Sequence, residues 1–367
     1  MKLIDIARIA NVSKSTASRA LADSPLVKDS TKRRVQEIAK QYNYRPNSLA
    51  QAVAVRKSGI LGFCLLHKEN PSFAHTFLGP VLDGALQEAQ LHGYHLILSA
   101  NSGSHTFDEA FIQDAIEGVI FSSFAPAEAI RIFQSRKIPR VVINDELDAE
   151  HVGFVLDDSY GGGKLLMEHL IRDCGRRRIA IISDRFSHTS YLLRYLAYID
   201  ALQSNSLAPY ENEAFRNDDL YEGHEPTSDT ILPQHQYTSI PRFGTPIITP
   251  GIHMDHGYAA VLRLIQTGDL PDAIFVTSDS LAVGVIRALK DAGIRVPEDI
   301  AVTGYDRTNS SDVVVPPLTT VQVNCEEIGR SAIRTLIEFI ESPQKESKTI
   351  YIPNQLVIRG STVANSS

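Results

Sequence analysis

The pattern of apolar and polar positions changes once along the chain, near residue 60. Before that point, apolar side chains recur every three or four residues over short stretches, which indicates short amphipathic helices. After it, short and nearly continuous apolar runs alternate with amphipathic stretches, which is typical of parallel strands covered by helices on both faces. The pattern therefore predicts a small all-α module followed by a large α/β body.

Three short helices account for the first 45 residues. The apolar stripe of the first is Leu3, Ile6, Ala7, Ile9 and Ala10. Asn11 can adopt the left-handed conformation of a turn, and Ser13 can cap a second helix over Lys14–Leu21. Asp29 or Ser30 can cap a third. Its apolar side is Val35, Ile38, Ala39 and Tyr42. Two short helices joined by a tight turn and braced by a third form a helix-turn-helix.

The body contains apolar runs that predict strands, separated by stretches that predict helices. The predicted strands are 60–66, 94–98, 118–121, 141–143, 178–182, 273–276 and 300–303. The predicted helices are 79–92, 161–172, 190–203, 257–267 and 280–292. So many alternating elements favour two doubly wound parallel sheets over one. The predicted fold class is α/β, with an all-α domain at the N-terminus.

Charge is distributed unevenly between the two parts. Residues 1–58 hold 12 Lys and Arg against 4 Asp and Glu, whereas the remaining 309 residues hold 24 against 39. The net charge of -7 therefore combines a head of +8 with a body of -15. A basic module on an acidic body suggests a head that binds a polyanion. A solvated charged face would explain the charge alone equally well, so the motifs must decide.

The composition is that of a soluble globular protein, with 43% apolar and 22% charged residues. No apolar run approaches the roughly 18 to 20 residues of a membrane span. Residues 1–5 lack the features of a secretory signal. The three cysteines, Cys64, Cys174 and Cys325, are far apart, so we expect neither a disulfide framework nor a Cys-rich zinc site, and a reducing cytoplasm fits best.

The outward face of the second helix carries side chains that suit a DNA groove. They are Lys14, Ser15, Ser18 and Arg19. Lys and Arg bind guanine edges and phosphates, and hydroxyls bind phosphates or adapt to bases. The alternative is a small solvated bundle with a polar face. The agreement of cap, turn, basic excess and position favours the DNA-binding interpretation.

The head also resembles that of a known family, the lac repressor family of bacterial transcription regulators. The motifs that carry this resemblance are Ile6-Ala7, Val12-Ser13, Thr16-Ala17-Ser18-Arg19 and Tyr44-Arg45-Pro46-Asn47. The family usually has Gly and Val where this chain has Asn11 and Ala17. The resemblance implies base reading by Lys14, Ser15 and Arg19. It implies DNA contacts at Leu3, Ser13, Lys14, Ser15, Thr16, Ser18, Arg19, Thr31, Tyr44, Asn47, Ala50, Gln51 and Val53.

Residues 47–59 connect the head, residues 1–46, to the body. Asn47 or Ser48 can cap a helix here that is too short to be stable unless something packs on it. In the resembling family this segment is a hinge helix, and two copies pair across a dimer and enter the minor groove. The apolar wedge between base steps, normally Leu, falls on Val53. A plain linker is the alternative.

Polar residues recur where the predicted strands of the body end. They are Asn70-Pro71-Ser72-Phe73, Asn144-Asp145, Asp157-Asp158, Thr277-Ser278-Asp279 and Tyr305-Asp306. Ligands of parallel sheets bind at the carboxyl ends of the strands. Carboxylates, amides, hydroxyls and an aromatic ring suit a polyhydroxylated ligand. Any one of these residues could be only a cap, but their recurrence favours a binding cleft.

The body carries the same family resemblance. Its motifs are Asn70-Pro71-Ser72-Phe73, Glu117-Gly118-Val119-Ile120, Thr277-Ser278-Asp279, Val296–Val302, Gly304-Tyr305-Asp306 and Pro317–Val321. The resemblance implies a two-lobed body like the periplasmic sugar-binding proteins, with lobe 1 about 60–157 and 323–352 and lobe 2 about 158–322 and 353–360. It implies effector binding by Arg194 and its partner carboxylate Asp306. The other implied effector residues are Phe73, Asn144, Ser190 and Ser278.

Two features depart from the family. The position before Gly257-Tyr258 that is often aromatic falls on Ile252, and residues 204–250 are longer than usual. The histidines in or near this stretch are His224, His235, His253 and His256. Their spacing fits no compact metal motif, so we expect neither a metal nor a cofactor.

We therefore expect a DNA-binding regulator, most simply a repressor, controlled by a sugar or sugar derivative; a purine or other metabolite is the alternative. An enzyme is disfavoured because the chain has no Gly-x-Ser-x-Gly elbow, phosphate loop or His-Glu-x-x-His. A transport protein would not need the basic head. The chain ends soon after Gly360 without an apolar heptad tail, so we expect a homodimer on a roughly palindromic operator and no membrane contact.

Replacing Val53 by Leu tests the hinge interpretation. A longer apolar side chain should unstack a base step more easily, so Val53→Leu should tighten operator binding at least about threefold. The measurement is the dissociation constant for a palindromic duplex at fixed salt concentration. An unchanged constant would identify the segment as a plain linker.

Overall fold

The computed structural model describes residues 3–21, 23–42, 44, 58–67, 77–102, 116–122, 127–146, 149–184, 186, 188–216, 243–343 and 346–363. The predicted hinge positions Asn47, Ala50, Gln51 and Val53 lie outside the described residues, as does Phe73.

The head consists of three helices, α1 Leu3–Ile9, α2 Lys14–Leu21 and α3 Asp29–Gln41. Its core is Ile6, Ala7, Ala10, Ala17, Ala20, Val27 and Val35. Asn11 has a φ of 50°, as expected for the turn between α1 and α2. The backbone N–H of Thr16 donates to Ser13 Oγ at 3.0 Å, so Ser13 caps α2 as predicted.

Two details of the predicted head are wrong. Ile9 is 43% exposed, because it lies about 100° around α1 from the centre of the Ile6–Ala10 stripe. Neither Asp29 nor Ser30 caps α3: both are inside the helix, and the extended residue before it is Lys28, which makes no side-chain cap. Asp29 instead lies in the first turn and pairs with Lys32 at 3.6 Å.

Lobe 1 is built on a six-stranded parallel sheet. Its strands are β1 Ile60–His67, β2 His95–Ser102, β3 Gly118–Ser122, β4 Arg140–Ile143, β5 Val152–Asp157 and β11 Lys348–Ile352, in the order β11-β5-β4-β3-β1-β2. Helices α4 Leu78–Leu91 and α11 Cys325–Glu341 pack on one face, and α5 Ala127–Ser135 packs on the other. The nearly continuous burial of β3, β4 and β5 follows from this double cover.

Lobe 2 is built on a four-stranded parallel sheet. Its strands are β6 Ile179–Asp184, β7 Ile247–Thr249, β8 Ala273–Val276 and β9 Ala301–Thr303, in the order β7-β6-β8-β9. Helices α6 Ser159–Glu168 and α7 Thr189–Ser204 cover one face, and α8 Met254–Gln266 and α9 Asp279–Asp291 cover the other. A π-helical turn, His169–Asp173, extends α6, and the short helix α10 is Asn309–Val313.

Three chain segments connect the lobes. The first joins β5 to α6, the second leads from β9 to β10 Thr320–Gln322 and on to α11, and the third joins β11 to β12 Gln355–Val357. Strands β10 and β12 pair antiparallel. The first and third segments leave the carboxyl ends of β5 and β11, and the second leaves that of β9, so they lie beside the cleft, the space between the carboxyl ends of the two sheets.

The structure confirms the predicted class of two parallel sheets behind an all-α head, and each predicted strand and helix of the body is present within a few residues. No apolar run predicted the strands β5, β7, β10, β11 and β12. Three of them, β7, β10 and β12, are only three residues long. Among the described residues, none of the helices combines the length and apolar character needed to cross a membrane.

Candidate functional site

Arg194 is a buried cation in the cleft, presented by α7. Its Nη1 donates to the carbonyl oxygen of Thr277 at 2.7 Å, and its guanidinium lies on the ring of Tyr305, 3.6 Å from the centroid. Its Nη2 is 3.6 Å from Asp306 and 3.8 Å from Asp157, which is ion-pair distance but longer than a hydrogen bond. The two carboxylates therefore attract Nη2 without saturating its N–H groups.

Asp306 faces Arg194 from a strained turn. Its φ is 104° and that of Arg307 is 55°, a region that residues other than Gly rarely adopt. Its side chain remains 26% exposed, so a ligand can reach it. Burial raises the pKa of Asp306 to about 7, and the charge of Arg194 acts in the opposite direction. A carboxylate and a guanidinium placed side by side can accept from one hydroxyl and donate to its neighbour.

Asp157, Tyr305 and Asn354 join the three connecting segments at the cleft. The Nδ2 of Asn354, in the third segment, donates to Tyr305 Oη at 2.8 Å and lies 3.3 Å from Asp157 Oδ2. Ser159 Oγ donates to the same Asp157 oxygen at 2.7 Å. The first and second segments supply Asp157 and Tyr305, so one side chain connects all three. The sequence predicted Asp157 and Tyr305 as polar residues at the ends of strands. It did not predict Asn354, because no apolar run indicated the strand that precedes it.

Of three other predicted effector residues, two make supporting contacts and the third is buried beside the site. Asn144 has a φ of 53°, and its Oδ1 accepts from the backbone N–H of Asp157 at 2.9 Å. Ser278 caps α9, with its Oγ accepting from the Leu281 N–H at 3.4 Å. Ser190 is buried in the first turn of α7, four residues before Arg194. Asn144 and Ser278 thus shape the backbone at two strand ends of the cleft.

The predicted DNA-reading face of α2 lies open to solvent. Lys14, Ser15 and Arg19 are exposed, and Ser18 is half-buried. Ser13 is engaged as the cap of α2, and its Oγ also lies 2.8 Å from Thr16 Oγ1, so these two hydroxyls fix the start of the helix. The remaining described residues of the predicted DNA set are half-buried: Leu3, Thr31 and Tyr44.

The chain enters lobe 1 at a fixed point, Gly59. The Gly59 N–H donates to Glu117 Oε1 at 2.7 Å, and the Gly59 carbonyl accepts from the His95 N–H at 2.7 Å. Tyr94 Oη donates to the other oxygen of Glu117 at 3.4 Å. Gly59 is therefore held where β2 and β3 begin, at the end of the sheet opposite the cleft.

The stretch around Ile252 contains the position that departs from the family pattern. Ile252 is half-buried where the chain leaves β7. The rings of His253 and His256 are 5.5 Å apart. Within the described ranges, no three His, Cys, Asp or Glu side chains are grouped to hold a metal ion. The central part of the long stretch, residues 217–242, which contains His224 and His235, lies outside those ranges.

Two family models match the chain. Residues 2–47 match bacterial regulatory proteins of the lacI family. Residues 167–362 match the periplasmic binding protein-like domain. The first match covers the three-helix head. The second begins near the end of α6 and covers the rest of lobe 2 together with α11 and β11 of lobe 1.

Similar proteins match over nearly the full length. The probable HTH-type transcriptional repressor ExuR of Bacillus subtilis (strain 168) is 28% identical over 359 residues, covering 97% of each chain. Among solved structures, the lac repressor dimer bound to operator and the anti-inducer ONPF has a TM-score of 0.73 at 22% identity, covering 99% of each chain. A complex of the transcriptional regulator CelR with cellobiose has a TM-score of 0.67 at 24% identity, covering 98% of this chain and 99% of that one.

Proposed function

The chain belongs to the lacI family of bacterial regulatory proteins, a family of DNA-binding transcription regulators, and from that premise we propose that it is a repressor whose affinity for an operator is set by a small ligand in the cleft. The observation that carries the proposal is the combination in one chain of an exposed basic helix α2 and a buried Arg194 flanked by Asp306 and Asp157. The first suits the major groove, and the second suits a small polar ligand.

The proposed ligand is an uncharged sugar. A hydroxyl beside Arg194 Nη2 can accept from it and at the same time donate to Asp306, whereas an anionic oxygen there would lie next to a carboxylate. Two carboxylates, Asp306 at 3.6 Å and Asp157 at 3.8 Å, face the single guanidinium of Arg194. That excess of carboxylates disfavours uronates and sugar phosphates. The similar CelR structure contains cellobiose, a neutral sugar.

The ligand is proposed to act by changing lobe closure. Asp157 and Asp306 belong to different connecting segments, so a ligand bound to both would hold the lobes in one arrangement. The head senses that arrangement through Gly59, which Glu117 fixes to lobe 1. Such control requires the ligand to bind one arrangement better than the other. We propose that the cleft binds without catalysis, since the similar proteins are repressors.

We propose that the protein acts as a homodimer on a palindromic operator, in the cytoplasm where the DNA is. Exposed apolar side chains lie on α4, β2 and α8, at the end of α10 and just after it. They are Leu86, Leu91, Ile97, Leu98, Met254, Leu262, Val313 and Val315. Such side chains in both lobes favour a long interface with a second copy.

The domain division that we propose is the one that the sequence predicts: residues 1–46, residues 47–59 and the two lobes.

Substitutions in the head and in the cleft should separate the two activities. Arg19→Ala should weaken operator binding by about 10- to 100-fold and leave ligand affinity unchanged, because it removes a base contact. Asp306→Ala should abolish the ligand response and leave operator binding intact. A mobility-shift assay at fixed salt concentration measures operator binding, and calorimetry measures ligand binding. Each variant serves as the control for the other. Loss of both activities in either variant would contradict this division of roles.

A thermal-shift panel tests the ligand class. It contains D-glucose, D-galactose, D-ribose and cellobiose, with D-galacturonate, ribose 5-phosphate and adenine. A neutral sugar at 100 times its dissociation constant should add about 2.7 kcal/mol of stability. Stabilisation by adenine alone would replace the sugar with a purine. Stabilisation by the two anions alone would contradict the charge argument.

A charge on the exposed apolar surface tests the dimer. Val313 is 77% exposed, and Val313→Asp should give a monomer with weakened operator binding, because a carboxylate cannot be buried unpaired in an interface. Sedimentation equilibrium measures the mass. The control is Leu165→Glu, which changes an exposed apolar residue on α6, on the other face of the lobe 2 sheet. A Val313→Asp dimer as stable as the wild type would place the interface elsewhere.

A further inference from the structure

We propose that Asp279 is a positioning residue that holds Asp306 in its ligand-binding conformation. The inference rests on the proposed function, since it concerns how the same cleft is built. Asp279 begins α9 and has no exposed surface, so it cannot itself contact a ligand. It would act through the backbone of the turn that carries Asp306.

The hydrogen bonds of Asp279 lie on both sides of Asp306 along the chain. Its Oδ2 accepts from the Thr308 N–H at 2.6 Å, two residues after Asp306. Its own N–H donates to the carbonyl of Tyr305 at 2.8 Å, one residue before. Its Oδ1 accepts from Thr320 Oγ1 at 2.6 Å, on β10 at the far end of the second connecting segment. Asp279 thus holds the Tyr305 end of the turn through its backbone N–H. Its side chain holds the Thr308 end and the neighbouring strand β10.

The turn requires such a restraint because its backbone is strained. Asp306 and Arg307 both have positive φ, and strained residues persist only where their surroundings determine them. The turn also packs directly on the carboxylate: a Cβ added to Gly304 would lie 2.4 Å from Asp279 Oδ1. The carboxylate therefore limits the turn sterically as well as through hydrogen bonds.

Helix capping does not account for Asp279. The cap of α9 is Ser278, whose Oγ accepts from the Leu281 N–H. The hydrogen bonds from Thr320 and Thr308 favour the ionised form of Asp279, although burial raises its pKa to about 6. The carboxylate oxygens of Asp279 accept hydrogen bonds from the Asp306 turn and from β10, and the cap of α9 is a different residue.

A double-mutant cycle tests the inference, with the neutral sugar of the panel that stabilises the full-length protein most as the probe. Asp279→Asn replaces one acceptor with a donor facing N–H or O–H groups, so it should weaken binding of that sugar at least about tenfold. In an Asp306→Ala background the same substitution should change the dissociation constant less than about twofold, because the group it positions is gone. Calorimetry measures all four proteins.

Two further variants separate positioning from general stability. Thr320→Val removes one donor to Asp279 without changing shape and should give a smaller loss in the same direction. Asp272→Asn is the matched control: its carboxylate also accepts backbone N–H groups, from Arg177 and Arg178, but at the opposite end of β8. It should lower the melting temperature and leave the dissociation constant of the sugar unchanged.

Each outcome bears on one proposal or the other. Equal losses from Asp279→Asn in both backgrounds, or an equal loss from Asp272→Asn, would overturn the positioning role and leave the proposed function standing. If Asp306→Ala alone does not weaken binding of the sugar, or if no sugar of the panel binds, the proposed ligand site is wrong. The positioning role of Asp279 is then wrong as well.

Discussion

The cleft is organised around Arg194, whose guanidinium is buried between two carboxylates from different connecting segments. A buried guanidinium is costly unless its charge is paired and its N–H groups are satisfied. Here Thr277 takes one N–H and Tyr305 covers the face, but the carboxylates remain at ion-pair distance, and Nε has no partner among the described residues. The charge of Arg194 is therefore balanced by carboxylates, but some of its N–H groups have no hydrogen-bond acceptor in the part of the chain that the structure describes. A ligand rich in hydroxyls can supply those acceptors and so bind well.

Because these charges belong to the segments that connect the lobes, a ligand bound to them acts on the whole body. Asn354 joins the first, second and third segments through Asp157 and Tyr305. The strained turn of Asp306 belongs to the second segment. At the opposite end of lobe 1, Glu117 fixes Gly59, where the linker to the head begins. A change in lobe arrangement at the cleft thus has a continuous covalent and hydrogen-bonded route to the linker, without any contact between ligand and DNA.

Much of this architecture could be predicted from the sequence, for identifiable reasons. The head was predictable because Ser13 and Asn11 are local signals, and the sheets were predictable because doubly covered strands are continuous apolar runs. Arg194 and Asp306 came from the family resemblance. The pattern missed Asn354 and the role of Asp279, since a hydrogen bond between residues 157 and 354 or 279 and 320 depends on the folded path of the chain. It also made Ile9 part of the core, because a short helix buries a narrower stripe than its apolar residues suggest.

We propose that the cleft and the head share one conformational equilibrium. Its most direct test is reciprocity: the factor by which a bound sugar changes the dissociation constant for operator must equal the factor by which operator changes the dissociation constant for that sugar. Fluorescence anisotropy with labelled duplex and calorimetry with sugar, at one salt concentration, give both factors. We expect the same factor, at least about fivefold, from both directions. A factor of one in both, with sugar and operator each bound, would contradict it.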